Sequence, residues 1–272
     1  MAQLRHIGVV LATVLCLWSL PSAQETAEVY QGEAAERFLR DARITRMQGM
    51  TEGVTAPRRA TLQRDGVTRQ AVFKTIEFLR PGITQLSNGK VEVNMEDTWR
   101  TEVAAYELDK MIGLGMVPAT VEREYRGETG SLQWWVESEW AEATRRRENI
   151  QPPDIEGWNQ QQLSMQLFDN LIYNTDRHLN NILVTKDFQL RLIDHSRAFR
   201  TFDQIRDPAE LPRFSRLLLA GIARLDRDGL RQRIGRYVPG DRIDALLKRR
   251  DAILELAKTR VAEKGEDAVL YR

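Results

Sequence analysis

Polar and apolar residues alternate with a period of two over much of the first half of the chain, and with helical spacing over most of the second. Arg43 to Met47, Arg59 to Gln63 and Thr68 to Ile76 read as three strands, the last two separated by the Asp65-Gly66 turn signal. Asn88-Gly89 marks a further hairpin within Ile83 to Val93. Trp99 to Leu114 changes to helical spacing, with Ala104, Ala105, Leu108, Met111 and Ile112 on one side, and Gly113, Gly115 and Pro118 stop it. Thr120 to Tyr125 and Ser131 to Glu137 are two more strands. From Trp140 onward helices dominate: Leu163 to Tyr173 buries Leu163, Leu167, Phe168, Leu171 and Ile172, and a long last helix carries Ile243, Leu246, Leu247, Ile253, Leu254 and Ala257, with Asp241 as its expected cap. Between these helices, Asn181 to Val184 and Leu190 to Ile193 form a tight hairpin around Lys186-Asp187. A strand-rich half therefore precedes a helix-rich half, an α+β arrangement.

The first 23 residues read differently. Arg5 precedes an apolar run from Ile7 to Leu20, and Pro21-Ser22-Ala23 follows, which is the layout of a cleaved secretory signal. The run is short for a membrane-spanning helix, so no stable span is expected after cleavage, and the chain is expected to be secreted or periplasmic. Cys16, the single cysteine, falls within this segment, which leaves an exported chain held by its core alone. Without the segment, which contains Arg5 and no acid, the formal charge drops from +1 to zero. Such a balanced surface has no global field to attract nucleic acid, and none is expected as a partner. Gln24 to Asp41 reads as a helical lead-in.

Candidate chemistry concentrates in Asn174-Thr175-Asp176-Arg177-His178-Leu179-Asn180-Asn181-Ile182-Leu183-Val184, followed by Leu192-Ile193-Asp194. A helix runs into a polar loop and the loop into a hairpin. Asp and Asn are common in turns, so each alone says little. Their joint order says more: phosphoryl transfer needs one carboxylate to orient a hydroxyl and take its proton, and a carboxylate plus an amide oxygen to hold Mg²⁺. Asp176, Asn181 five residues on and Asp194 thirteen further follow the protein-kinase spacing.

The run Asp-Arg-His-x-x-Asn-Ile-Leu followed by Ile-Asp resembles the phosphatidylinositol 3- and 4-kinase signature. It is also similar to the atypical protein kinases of the secretory pathway and to HipA-type kinases. The resemblance implies a two-lobed protein-kinase-like fold: a lead-in over 24–42, a β-rich lobe over 43–140 and a helical lobe over 141–272. It implies Asp176 as the catalytic carboxylate, Asn181 and Asp194 as metal ligands, and ATP with Mg²⁺ or Mn²⁺. Lys74 interrupts the apolar strand Gln70 to Ile76, where a buried ammonium needs a partner; kinases set such a lysine on the α- and β-phosphates. Its implied partner is Glu102, with Glu107 as competitor. The Gly49 to Thr55 stretch stands where a phosphate-binding lid belongs, with Gly53 and Thr55 as candidate contacts and Thr51 beside them. The adenine is expected at the lobe junction, Trp135 to Trp140, with Glu137 among its contacts.

Two departures stand out. His195-Ser196-Arg197 follows Asp194 in place of Phe-Gly, which puts the usual in/out switch of that segment in doubt. Asn174-Thr175 stands where a histidine normally precedes Asp176. Arg177 and Arg197 are open between neutralising phosphate, pairing with Asp176 and simple structural ion pairs. The acceptor is a hydroxyl, on a protein by preference, or on a lipid or small molecule. Nucleotidyl transfer and a non-catalytic pseudokinase are the competing readings.

Overall fold

The computed structural model describes residues 31–50, 56–85 and 91–272, with only the backbone of 91–94. The signal-like segment Met1 to Ala23, the start of the lead-in helix, Thr51, Gly53, Thr55 and the Asn88-Gly89 turn lie outside the described residues.

The first lobe opens with α1 (Glu33–Asp41), then β1 (Arg43–Gly49), β2 (Arg58–Arg64), β3 (Val67–Lys74), β4 (Glu77–Gln85) and β5 (Val91–Thr98). Helix α2 (Arg100–Ile112) and strands β6 (Thr120–Tyr125) and β7 (Glu128–Trp134) complete it. One antiparallel sheet runs in the order β1-β2-β3-β7-β6. Its alternation is what the sequence pattern demands: Ala60 and Leu62 of β2, Ala71 and Phe73 of β3, and Leu132 of β7 are buried. Both α1 and α2 lie against β6 and β7. The lead-in helix is thus part of the lobe: Glu36 accepts from Tyr106 at 3.0 Å and Lys110 at 2.7 Å, both on α2. At the end of α2, Gly113 takes a left-handed φ of +75°, which glycine adopts without steric cost.

Strands β4 and β5 pair only with each other, as a two-stranded ribbon outside the main sheet. It begins just after β3 and ends at α2, so it links the strand that ends in Lys74 to the helix that carries Glu102. The hairpin is longer than the alternation within Ile83 to Val93 implies. Phe78, Leu79 and Ile83 are exposed, so no buried apolar face marks β4.

The second lobe comprises β8 (Trp140–Ala141), α3 (Glu142–Arg147), α4 (Ile155–Ile172), β9 (Ile182–Val184) and β10 (Leu190–Leu192), followed by β11 (Phe214–Ser215), α5 (Arg216–Ala223), α6 (Arg227–Ile234), α7 (Gly240–Lys264), α8 (Glu266–Val269) and β12 (Leu270–Tyr271). Helix α4 starts two turns before the expected Leu163, with Asp154 accepting from Gly157 N at 3.0 Å as its cap. Those turns lack the apolar period: Ile155 is exposed, and of the two only Trp158 is buried. The expected cap of the last helix is corrected as well. Asp241 sits inside the first turn of α7, where it favours the helix dipole, and Pro239 holds the cap position without a side-chain bond. The core is continuous from α1 through the sheet and α2 to α4, α5, α6 and α7. No helix among the described residues is long and apolar enough to cross a membrane.

Candidate active site

The site forms where β3, α2, the loop after α4 and the turn after β10 converge. Lys74 ends β3 on the sheet face opposite Phe73, and both side chains are buried. Its Nζ donates to Glu102 Oε1 at 2.6 Å and to Asp194 Oδ1 at 2.9 Å. These partners lie 28 and 120 residues away in sequence. Burial alone would push the Lys74 ammonium down, but the two carboxylates override it and raise it above the ordinary lysine value. Burial likewise works against ionised Glu102 and Asp194, yet Lys74 holds both below the usual carboxylate range. Glu102, not Glu107, reaches the lysine; Glu107 pairs with Lys110 at 2.9 Å.

Asp194 has a left-handed φ of +59°, uncommon for a side-chain-bearing residue and found most readily for Asn and Asp. Ser196 Oγ donates to its Oδ1 at 2.9 Å. The Ser196 carbonyl accepts from Thr98 N at 3.0 Å, tying the segment to the base of the ribbon.

The loop after α4 is built by its own side chains. Asn174 is fully buried, donates to Asp169 Oδ1 at 3.0 Å and accepts from the Asp176 amide at 3.1 Å. Asp176 itself is 38% exposed, the accessibility an acceptor group would need. Asn181 donates its Nδ2 to the Asp176 carbonyl at 3.2 Å, which commits the amide nitrogen and leaves the oxygen for accepting or ligating. Ile193 N returns to the Asn181 carbonyl at 3.1 Å, so Asn181 and the Asp194 segment are held side by side. A carboxylate and an amide oxygen are hard ligands, and their approach fits Mg²⁺ or Mn²⁺ bound with several waters. No cluster of three His, Cys, Asp or Glu side chains forms among the described residues; this donor set needs none.

The two arginines separate. Arg177 is a buried structural cation: its guanidinium grips Asp169 at 2.9 and 3.1 Å and donates to the carbonyls of Asn181 at 3.0 Å and Ile193 at 2.7 Å. Arg197 donates to Asp97 Oδ2 at 3.1 Å and stands 3.6 Å from Asp176 Oδ2, so it is the one that faces the catalytic candidate. Asp169 and Asp97 belong to the site's frame and were not singled out from sequence. The signal for Asp169 was there: a carboxylate next to Phe168 on the buried face of α4 requires a partner.

Glu137 is exposed on the segment joining the lobes. That segment is pinned at both ends, by Trp135 N to Gln70 O at 3.1 Å and by Glu139 N to Val184 O at 2.9 Å. A separate groove of about 500 Å³, walled in part by Val103, Glu107, Glu122 and Tyr237, takes none of its lining from Lys74, Glu102, Asp176, Asn181 or Asp194.

The chain has a two-lobed α+β, protein-kinase-like fold. Among solved structures it is similar to the Golgi casein kinase, with a TM-score of 0.59 and 15% identity over 86% of this chain and 77% of that one. It is also similar to the Helicobacter pylori proinflammatory kinase CtkA, with a TM-score of 0.52 and 13% identity over 83% of this chain and 97% of that one. No protein-family model and no curated protein matches the sequence.

Proposed function

We propose that this chain is a phosphotransferase that moves the γ-phosphoryl group of ATP to a hydroxyl, with a protein hydroxyl the preferred acceptor over a lipid or small molecule. The observation that carries the reading is the single buried ammonium of Lys74 held between Glu102 at 2.6 Å and Asp194 at 2.9 Å. A surface lysine has no need of two carboxylates from distant elements; a phosphate-binding lysine has to be aimed.

In this reading Lys74 binds the phosphates and Glu102 holds Lys74. Asp176 orients the acceptor and takes its proton as the acceptor oxygen bonds to the γ-phosphorus and the bond to the β-phosphate oxygen breaks, releasing ADP. Asp194 and Asn181 would hold a divalent cation, which would supply charge neutralisation to the phosphates. Arg197, 3.6 Å from Asp176, directs that carboxylate. Gly53 and Thr55 would cover the phosphates, and the segment with Glu137 would meet the adenine. The chain acts after export on its Met1 to Ala23 signal, a setting shared with a neighbour whose name places it in the Golgi.

The test is thermal unfolding of the full chain with ATP, with and without Mg²⁺ or Mn²⁺, beside Asp194→Ala, followed by mass analysis of acceptor proteins. ATP at roughly a hundred times its Kd stabilises by about 2.7 kcal/mol. A metal-dependent rise, lost in Asp194→Ala, with a phosphoryl mass added to the acceptor, is expected. An adenylyl mass would replace phosphoryl by nucleotidyl transfer. No shift with any nucleotide would leave a non-catalytic binding module.

A further inference from the structure

His195 takes the place of the usual aromatic residue after the metal-binding carboxylate, and its side chain is fully buried. Its ring meets Phe168 edge-on, with centroids 5.9 Å apart. A phenylalanine would pack there as well, so the two ring nitrogens are what distinguishes the histidine. Burying them costs free energy unless they find partners.

The partners define the proton's place. Arg177 Nη2 lies 2.9 Å from His195 Nε2. A guanidinium only donates, so Nε2 accepts, and a neutral imidazole that accepts through Nε2 carries its proton on Nδ1. Arg177 cannot turn away, because Asp169 of α4 grips it at 2.9 and 3.1 Å. Nδ1 then faces Glu102 Oε2 at 3.6 Å, an electrostatic contact longer than a hydrogen bond. The same oxygen accepts from the His195 main-chain N–H at 3.0 Å. With Oε2 engaged by His195, Oε1 is turned onto Lys74 at 2.6 Å.

We propose that His195 is a positioning residue: with its ring proton fixed on Nδ1 by Arg177, it holds the Glu102 carboxylate so that its other oxygen stays on Lys74. The chain Asp169–Arg177–His195–Glu102–Lys74 joins α4, the loop after it, the turn after β10, α2 and β3, and so sets the two lobes at one spacing. It also explains how the segment does without a flexible glycine. Ser196 is bonded to Thr98 and Asp194, His195 is held by Arg177 at Nε2 and by Glu102 at its main-chain N–H, and the segment has one place to be. The importance of that placement for catalysis rests on the phosphate-binding role given to Lys74 above.

Two measurements on the full chain, neither using nucleotide, test the proposal. Long-range ¹H–¹⁵N spectra of ¹⁵N-histidine protein near neutral pH read the tautomer directly; only three histidines are present, and His178→Gln helps assign them. The expected His195 pattern is a protonated Nδ1 and an unprotonated Nε2. Acylation of Lys74, followed by peptide mass spectrometry, reads how firmly it is held. His195→Phe keeps the packing and the main-chain bond to Glu102 but loses the Nδ1 contact at 3.6 Å, and should label about twofold faster, the equivalent of a weak polar contact. His195→Asn restores a donor near the Nδ1 position and should label close to the parent rate. A proton on Nε2, or equal protection of Lys74 in His195→Phe, overturns the proposal. If His195→Phe does not fold, the tautomer in the parent decides. A parent chain that binds no ATP would retire the phosphotransfer reading and leave both measurements standing.

Discussion

Replacing Lys74 by methionine tests whether its ammonium is the counter-charge that holds the centre of the fold together. The side chains of Lys74, Glu102 and Asp194 are 11, 2 and 28% exposed, and the ammonium serves both carboxylates. Methionine keeps the apolar stem and leaves two carboxylates facing one another. Removing one member of a buried ion pair costs about 3–5 kcal/mol. Water reaching Asp194 screens part of this, so the low end applies, about 3 kcal/mol. With a urea slope of about 3 kcal/mol per molar for a domain of this size, the midpoint should fall by about 1 M. Acid should narrow the gap. In the parent, Lys74 overrides burial and holds Glu102 and Asp194 below their ordinary values. Their contribution is therefore present above the unfolded values of 4.5 and 3.8 and is lost as pH falls through and below them. In Lys74→Met, burial and mutual repulsion raise both groups, so the variant gains stability relative to its unfolded chain as pH falls from neutral toward those values. Urea titrations followed by tryptophan fluorescence at about pH 7.5 and about pH 5 measure both effects. A midpoint change below about 0.3 M at the higher pH, or an equal change at both, would refute the reasoning.

Two further substitutions probe the frame of the site. A Cβ at Gly130 of β7 would stand 2.2 Å from the Lys74 carbonyl and 2.9 Å from Thr75 Cγ2, and a backbone atom cannot give way. Gly130→Ala should therefore push β7 off β3, lower stability by about 2 kcal/mol and weaken ATP-dependent stabilisation; an unchanged Tm would sink this. Arg249 of α7 is fully buried, pushed down to about 10 by desolvation, and donates to the carbonyls of Leu171, Arg200 and Phe202. Arg249→Met leaves those carbonyls unmatched at about 1–3 kcal/mol each, partly offset by relief of the buried charge, for a net loss of about 3 kcal/mol. Hydrogen exchange should rise at Asn174 to Asp176, just beyond the end of α4, and protection equal to the parent's would count against Arg249 as their anchor.

The chain's alternating and helical periods carried the division into a strand-rich and a helix-rich half, because each period reflects which face of an element is buried. The loop of the candidate site was legible for a related reason. Asn174 to Asp194 is a helix end, a loop and a hairpin in direct succession, so residues that meet in space also lie close in sequence. Lys74 showed itself as a cation at the end of an apolar alternation, and burial makes such an exception costly unless it is partnered. Glu102 was named on resemblance, since nothing in the local pattern of α2 separates it from Glu107; the choice depends on which face of the helix looks toward the cleft.

What the tertiary structure alone decided are the partnerships between elements, of which His195 with Glu102 and Arg197 with Asp97 cross from one lobe to the other. Asp169 with Arg177, Arg177 with His195, His195 with Glu102 and Asp97 with Arg197 join elements whose separation is set by how the sheet, α2 and α4 pack. The extension of the β4–β5 ribbon beyond the expected Ile83 to Val93 hairpin escaped the sequence reading because Phe78 and Leu79 are exposed, and without a buried apolar face a strand leaves no period to read. A linear pattern records how each segment meets the core; which distant charges then meet each other follows only once the segments are docked, because an ion pair acts through distance in space, not along the chain.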